Sequence, residues 1–202
     1  MAIDYTITAF KTRYEGRLYR SRLEAKWAAF FDLCGWQVEY EPYDIGEWSP
    51  DFLITGKFQS LLVEIKPIDR IDSETCDRMT RAAIKANHDG ELLLLGVSPF
   101  YEGNWPPDHP YLGWLGEKEE REENSEEPNW WFDTELCPFA WYSERPSQVD
   151  FCSAGGSFRG RLTGLYDGGS FGDAMYHAAD RVKCIRGLWA EAASKVQWHR
   201  RP

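Results

Sequence analysis

The stretch Ser49-Pro50-Asp51-Phe52-Leu53-Ile54, followed by Leu62-Val63-Glu64-Ile65-Lys66, constrains this chain more than any other. Both halves read as short strands rich in Leu, Ile and Val, and Thr55-Gly56-Lys57 supplies the turn between them. Side chains alternate along a strand, so Glu64 and Lys66 share one face and Ile65 takes the other. Charge placed late in an apolar strand is costly to bury unless it is paired or binds metal. If the two strands pair, Asp51 approaches Glu64, and two carboxylates and an ammonium share one small volume. Asp51 and Glu64 offer hard oxygen ligands suited to Mg²⁺ or Mn²⁺, and the backbone carbonyl of Ile65 offers another. Such a cation lowers the pKa of a bound water and neutralises charge on a phosphoryl oxygen. Lys66 would orient that water and stabilise the charged transition state. Glu-x-Lys by itself is common and suits an ordinary hairpin equally well. Pro50-Asp51, with Asp51 thirteen residues before Glu64, and the further Glu24 upstream favour the metal reading.

Pro50-Asp51 … Glu64-Ile65-Lys66 resembles the PD-(D/E)XK nuclease superfamily. Upstream, Tyr19-Arg20-Ser21-Arg22-Leu23-Glu24 looks like the start of the first core helix in phage endonuclease I-like Holliday-junction resolvases, where a similar segment supplies the first catalytic Glu. Val38-Glu39-Tyr40-Glu41 before Ser49-Pro50-Asp51-Phe52-Leu53 is similar as well. The likeness spans residues 14–67. It implies an α/β fold with a restriction-endonuclease-like core, ordered helix, three strands, helix, strand. It implies metal-dependent hydrolysis of DNA, endonuclease action favoured, with Glu24, Asp51, Glu64 and Lys66 catalytic and Glu24 completing or tuning the metal shell. Branched DNA as substrate and a homodimer as assembly are further expectations from this resemblance.

Net charge is −10, which argues against a general nucleic-acid binder. The distribution softens that objection. Residues 1–23 carry five basic and two acidic side chains, residues 159–202 carry eight and four, and the acid is concentrated between. Arg13, Arg17, Arg20, Arg22 and Lys26, interleaved with Tyr14 and Tyr19, are the candidates for DNA-backbone contacts; a solvated helix face is the bland alternative. No apolar run reaches the roughly 18 residues of a membrane span, and the N-terminus lacks a signal-peptide pattern, so a cytoplasmic setting and no membrane are expected. Five widely spaced cysteines without C-x-x-C suggest reduced thiols.

Element by element, residues 1–13 read as a strand or arm leading in. Leu23, Trp27, Phe30, Phe31 and Cys34 recur at helical spacing, with Gly35 as the stop. Ser21 and Glu24 fit a capping box, an alternative to the catalytic role of Glu24; a helix starting near Tyr14 would instead leave Ser21 in mid-helix. Strands are expected at 36–40, 50–55 and 58–66, a helix at 72–87 and a buried strand at 91–97. The loop at 42–48 holds Asp44 and Glu47, which nothing in the spacing ties to the acidic cluster. Residues 1–98 then form the nuclease-like core and 99–202 an acidic, Trp/Gly-rich accessory region. Within the latter, Glu117–Glu127 holds seven glutamates against Lys118 and Arg121. This block reads as a solvated run or as an arm for a basic protein partner. Short strands are expected at 129–133 and 139–142, and a helix over 171–195. No phosphate-binding glycine loop occurs.

Overall fold

The computed structural model describes residues 9–57, 59–101, 110–118, 130–132, 139–141, 149–151, 160–164 and 185–196. The chain opens on a hairpin, β1 (Thr12–Tyr14) and β2 (Arg17–Tyr19), paired antiparallel with Tyr14 opposite Arg17. Its two-residue turn holds Glu15 at φ 44° and Gly16 at φ 78°, the left-handed conformation that tight hairpins demand. The strand at Thr12–Tyr14 agrees with the strand-or-arm reading of residues 1–13, of which 1–8 lie outside the described residues, and the hairpin turn excludes a helix start near Tyr14. Helix α1 (Arg22–Cys34) begins after Ser21, whose hydroxyl accepts from the Glu24 N–H, and ends on Gly35 at φ 73°. The Glu24 carboxylate does not complete a reciprocal box on Ser21; it turns instead to Arg20 and Tyr40.

Three antiparallel strands follow, β3 (Gln37–Tyr40), β4 (Phe52–Thr55) and β5 (Ser60–Ile65). Helix α2 (Ser73–Lys85), capped by Asp72, carries the chain to β6 (Glu91–Leu95), which lies parallel to β5. Such a parallel return needs a crossover, and α2 supplies it. The order helix, three strands, helix, strand therefore stands as expected. β7 (Phe100–Tyr101) and β8 (Pro110–Tyr111) pair in a small hairpin. β9 (Trp114–Lys118) and β10 (Trp130–Phe132) extend the main sheet beyond β6. The result is a mixed six-stranded sheet ordered β10-β9-β6-β5-β4-β3. β11 (Phe139–Trp141) pairs with β12 (Val149–Phe151), and helix α3 (Ile185–Lys195) completes the described elements. The start of the helix expected over 171–195, most of the acidic block, and Cys137, Cys152 and Cys184 lie outside the described residues.

Alternation along β5 and β6 divides the core. Leu61, Val63, Ile65, Leu93 and Leu95 face α1 and α3, while Leu62, Leu92 and Leu94 face α2 through Cys76, Met79, Ala82 and Ala83. Trp27, Phe30 and Phe31 are wholly buried, each contributing about 1.5–3 kcal/mol by leaving water. The later region joins this core: Val149, Phe151, Leu162, Ile185 and Val196 pack with α1 residues, and the Trp36 indole donates to the Val149 carbonyl at 2.8 Å. Gly96 follows β6 where a side chain has no room, since a Cβ would sit 2.4 Å from the Ile68 carbonyl oxygen.

Candidate active site

The β4–β5 register, with Phe52 opposite Val63, continues one step to place Asp51 opposite Glu64. The Asp51 N–H donates to the Val63 carbonyl at 2.8 Å, and the Ile65 N–H donates to Asp51 Oδ2 at 2.7 Å. Both carboxylates are buried, each 4% exposed. Glu64 belongs to the row of β5 side chains that faces α2, as does Lys66, whose Nζ lies 2.7 Å from Glu64 Oε1. Arg78 from α2 meets the same oxygen at 2.7 Å, and the Trp48 indole N–H donates to Oε2 at 2.7 Å.

Glu24 approaches the same sheet end from the opposite face, on α1. The Tyr40 hydroxyl donates to its Oε2 at 2.6 Å, and the Arg20 N–H lies 3.2 Å from the same oxygen. Asp51 sits at the rim between the two faces. The Arg20 guanidinium pairs with Asp51 there, 3.0 Å from Glu41 and 3.7 Å from Glu24. Burial pulls the Arg20 pKa down, but the carboxylates of Asp51 and Glu24 outweigh it, and the net shift is upward.

The Asp51 carboxyl is pushed up to about 7, first by burial and then by the neighbouring Glu64 charge, with Glu24 adding to it. The Ile65 N–H and Arg20 pull the other way without prevailing. An ion pair with a half-exposed arginine is screened by water, so it does not offset two nearby negative charges. Burial also raises Tyr40, ahead of its bond to Glu24. The phenol therefore stays protonated as a donor to Glu24.

All four expected catalytic residues thus come to one end of the sheet, though not to one cluster. Among the described residues, no three His, Cys, Asp or Glu side chains are grouped to hold a metal ion. The reason is topological: Glu24 lies across the sheet from Glu64. Asp51 and Glu64 remain as a cross-strand pair of hard oxygen donors, and this donor chemistry fits Mg²⁺ or Mn²⁺. Ile65 contributes its N–H to Asp51.

Of the expected DNA contacts, Arg13 and Arg17 are exposed on the hairpin. Arg20 is turned onto carboxylates, and Arg22 and Lys26 line a separate cleft on the α1 side. Asp44 bonds to Ser49 on the surface and stays out of the cluster. Trp48, Tyr40 and Arg78 were not foreseeable as site residues from spacing. The one local signal is that Arg78 stands in the second turn of the helix that returns from β5. The Ile45–Trp48 backbone bridge, N to O at 2.8 and 3.2 Å, sets the indole in place.

No family model, curated protein or solved structure matched this chain. No helix among the described residues is long and apolar enough to cross a membrane.

Proposed function

We propose that this chain is a metal-dependent nuclease of the PD-(D/E)XK type that hydrolyses DNA phosphodiester bonds, with endonuclease action favoured. The observation that carries this reading is the pairing of buried Asp51 and Glu64 across β4–β5, with Lys66 Nζ 2.7 Å from Glu64. Asp51 and Glu64 would hold Mg²⁺ or Mn²⁺, which supplies a nucleophilic water at neutral pH and charge neutralisation at the phosphoryl group.

The chain's own residues divide the remaining work. The Ile65 N–H fixes the Asp51 carboxylate, and the Trp48 indole fixes one Glu64 oxygen. Lys66 places a positive charge beside the other Glu64 oxygen, where it orients a water and meets developing negative charge. Glu24, held by Tyr40, adds negative potential that tunes Asp51. Arg20 and Arg78, both about half exposed, are placed to exchange carboxylate for phosphate. Branched DNA and a homodimer belong to the same proposal, on the resemblance of residues 14–67 alone.

One observation favours a second reading. Asp51 and Glu64 are each already engaged by side-chain cations, Arg20 on one and Lys66 with Arg78 on the other. A non-catalytic scaffold would look the same, and would bind a protein through its acidic, Trp-rich region. Cleavage of supercoiled plasmid and of a synthetic four-way junction, with Mg²⁺, Mn²⁺ or EDTA, separates the two. The nuclease reading expects metal-dependent cutting that Glu64→Ala and Lys66→Ala both abolish. Absence of cutting under every metal would leave the scaffold, and cutting that survives both substitutions would remove Glu64 and Lys66 as its source.

A further inference from the structure

A second feature at this end of the sheet lies on the α1 face, away from Lys66 and Arg78. A cleft of about 280 Å³ opens between α1, α3 and the residue that follows Gly96, lined by Arg22, Leu23, Lys26, Val97, Ala193 and Val196. Its volume is at the small end of ligand pockets. The floor is apolar, and the two polar side chains that line it are both cationic, one helical turn apart. In a chain of net charge −10, no carboxylate of the described residues lines this cleft. Among the described residues, neither Arg22 nor Lys26 has an ion-pair partner.

The site is also held in shape. The Lys26 ammonium lies 3.8 Å from the centre of the Trp189 ring, and that indole packs on Trp27 at 4.6 Å and Phe30 at 5.6 Å. Lys26 is thereby kept part-buried beside Arg22, and burial, followed by the Arg22 charge, lowers its pKa. Two like charges on one wall of the cleft repel each other, and an anion between them relieves that cost. Arg22 and Leu23 are the first residues of α1, where helix N–H groups lack intrahelical acceptors and favour negative charge.

We propose that this cleft is a nucleotide pocket, with a phosphate held between Arg22 and Lys26 and the sugar or base laid against Leu23, Val97 and Val196. It lies at the same end of the sheet as the carboxylates: Val97 stands two residues past Leu95, which pairs with Ile65. A nucleotide flanking the scissile bond is therefore its natural source, a point that rests on the nuclease reading. A free mononucleotide has the same chemistry.

Calorimetric titration in EDTA tests the pocket without engaging metal-dependent cleavage. The probes are a deoxynucleoside 5′-monophosphate, a 5′-phosphorylated dinucleotide and its unphosphorylated counterpart. Wild type should bind the phosphorylated probes saturably at one site. Arg22→Gln and Lys26→Gln, which remove the charge and keep a polar side chain, should each weaken binding about tenfold, and Glu64→Ala should leave it unchanged. Dinucleotide binding at least as tight as that of the mononucleotide identifies a strand as the source, and exclusion of the dinucleotide identifies a free nucleotide. Binding that is absent, indifferent to the 5′-phosphate, or as tight in both Gln variants as in wild type (the variants shown folded by near-ultraviolet circular dichroism) overturns the pocket. If cleavage proves unaffected by Glu64→Ala while these titrations behave as expected, the nuclease reading falls and the pocket stands.

Discussion

The central strands carry buried carboxylates at both ends, and the two ends are built differently. At the C-terminal end of β5, Asp51 and Glu64 face cations that are substantially exposed: Arg20 at 50%, Arg78 at 42% and Lys66 at 33%. At the N-terminal end of β6, about 10 Å away along the strands, Glu91 and Glu117 flank Arg161, which is only 14% exposed. The first arrangement leaves its cations free to change partners at the surface. The second locks one arginine between two acids and ties residues 160–164 to the sheet. Asp150 is a third variant: wholly buried, it accepts from the N–H groups of Phe151, Leu162 and Thr163 and from the Thr163 hydroxyl, leaving little acceptor capacity for a ligand. Burial of an acid alone therefore does not mark a site. The exposure of its partners does.

The largest expected effect is structural. Arg161→Ala strands Glu91 and Glu117 without their cation and should cost about 3–5 kcal/mol in denaturant unfolding. Per folded molecule, cleavage should be unchanged. Lys66→Ala should do the reverse, lowering cleavage by about 10²–10³-fold, as loss of a charge-stabilising donor does, with little change in unfolding midpoint.

The pH dependence of stability comes next. Burial, reinforced by Glu117, pushes the Glu91 carboxyl from about 4.5 up to about 7, against the pull of Arg161. Between those values the folded state keeps a proton that the unfolded chain has released. Stability therefore falls as pH rises through that window, by up to about 3 kcal/mol. Asp51 acts with the same sign over a window from about 4 to about 7. Unfolding measured from pH 5 to 8 should flatten in part in Glu91→Gln and in part in Asp51→Asn. Mn²⁺ should remove the Asp51 share of the slope and leave the Glu91 share.

The smallest expected effect is that of Arg78→Ala on stability. Arg78 is half exposed and Glu64 keeps Lys66 and Trp48, so the loss should be below about 1 kcal/mol. A cost near that of Arg161→Ala would erase the distinction between the two ends.

Much of the core was legible because local signals agreed: apolar runs at 61–65 and 91–95, the cap at Asp72, and the stop at Gly35. The pairing of Asp51 with Glu64 was legible too, since a short turn between alternating strands leaves few registers. The hairpin at 12–19 was hidden, because its basic residues fit a helix face equally well and its turn needed Glu15 at positive φ. The attachment of β9 and β10 to β6 was not written locally, since strand neighbours distant in sequence are set by sheet-edge packing. The separation of Glu24 from Glu64 was hidden for the same reason. Sequence spacing brings both to one end of the sheet but does not say that they come from opposite faces.

The most direct test of the difference between the two ends is calorimetric Mn²⁺ binding at pH 8 to wild type, Asp51→Asn, Glu64→Gln and Glu91→Gln. The account predicts saturable binding that is lost in Asp51→Asn and Glu64→Gln and retained in Glu91→Gln. Failure of the wild type to bind Mn²⁺, or equal binding by all four proteins, would contradict it.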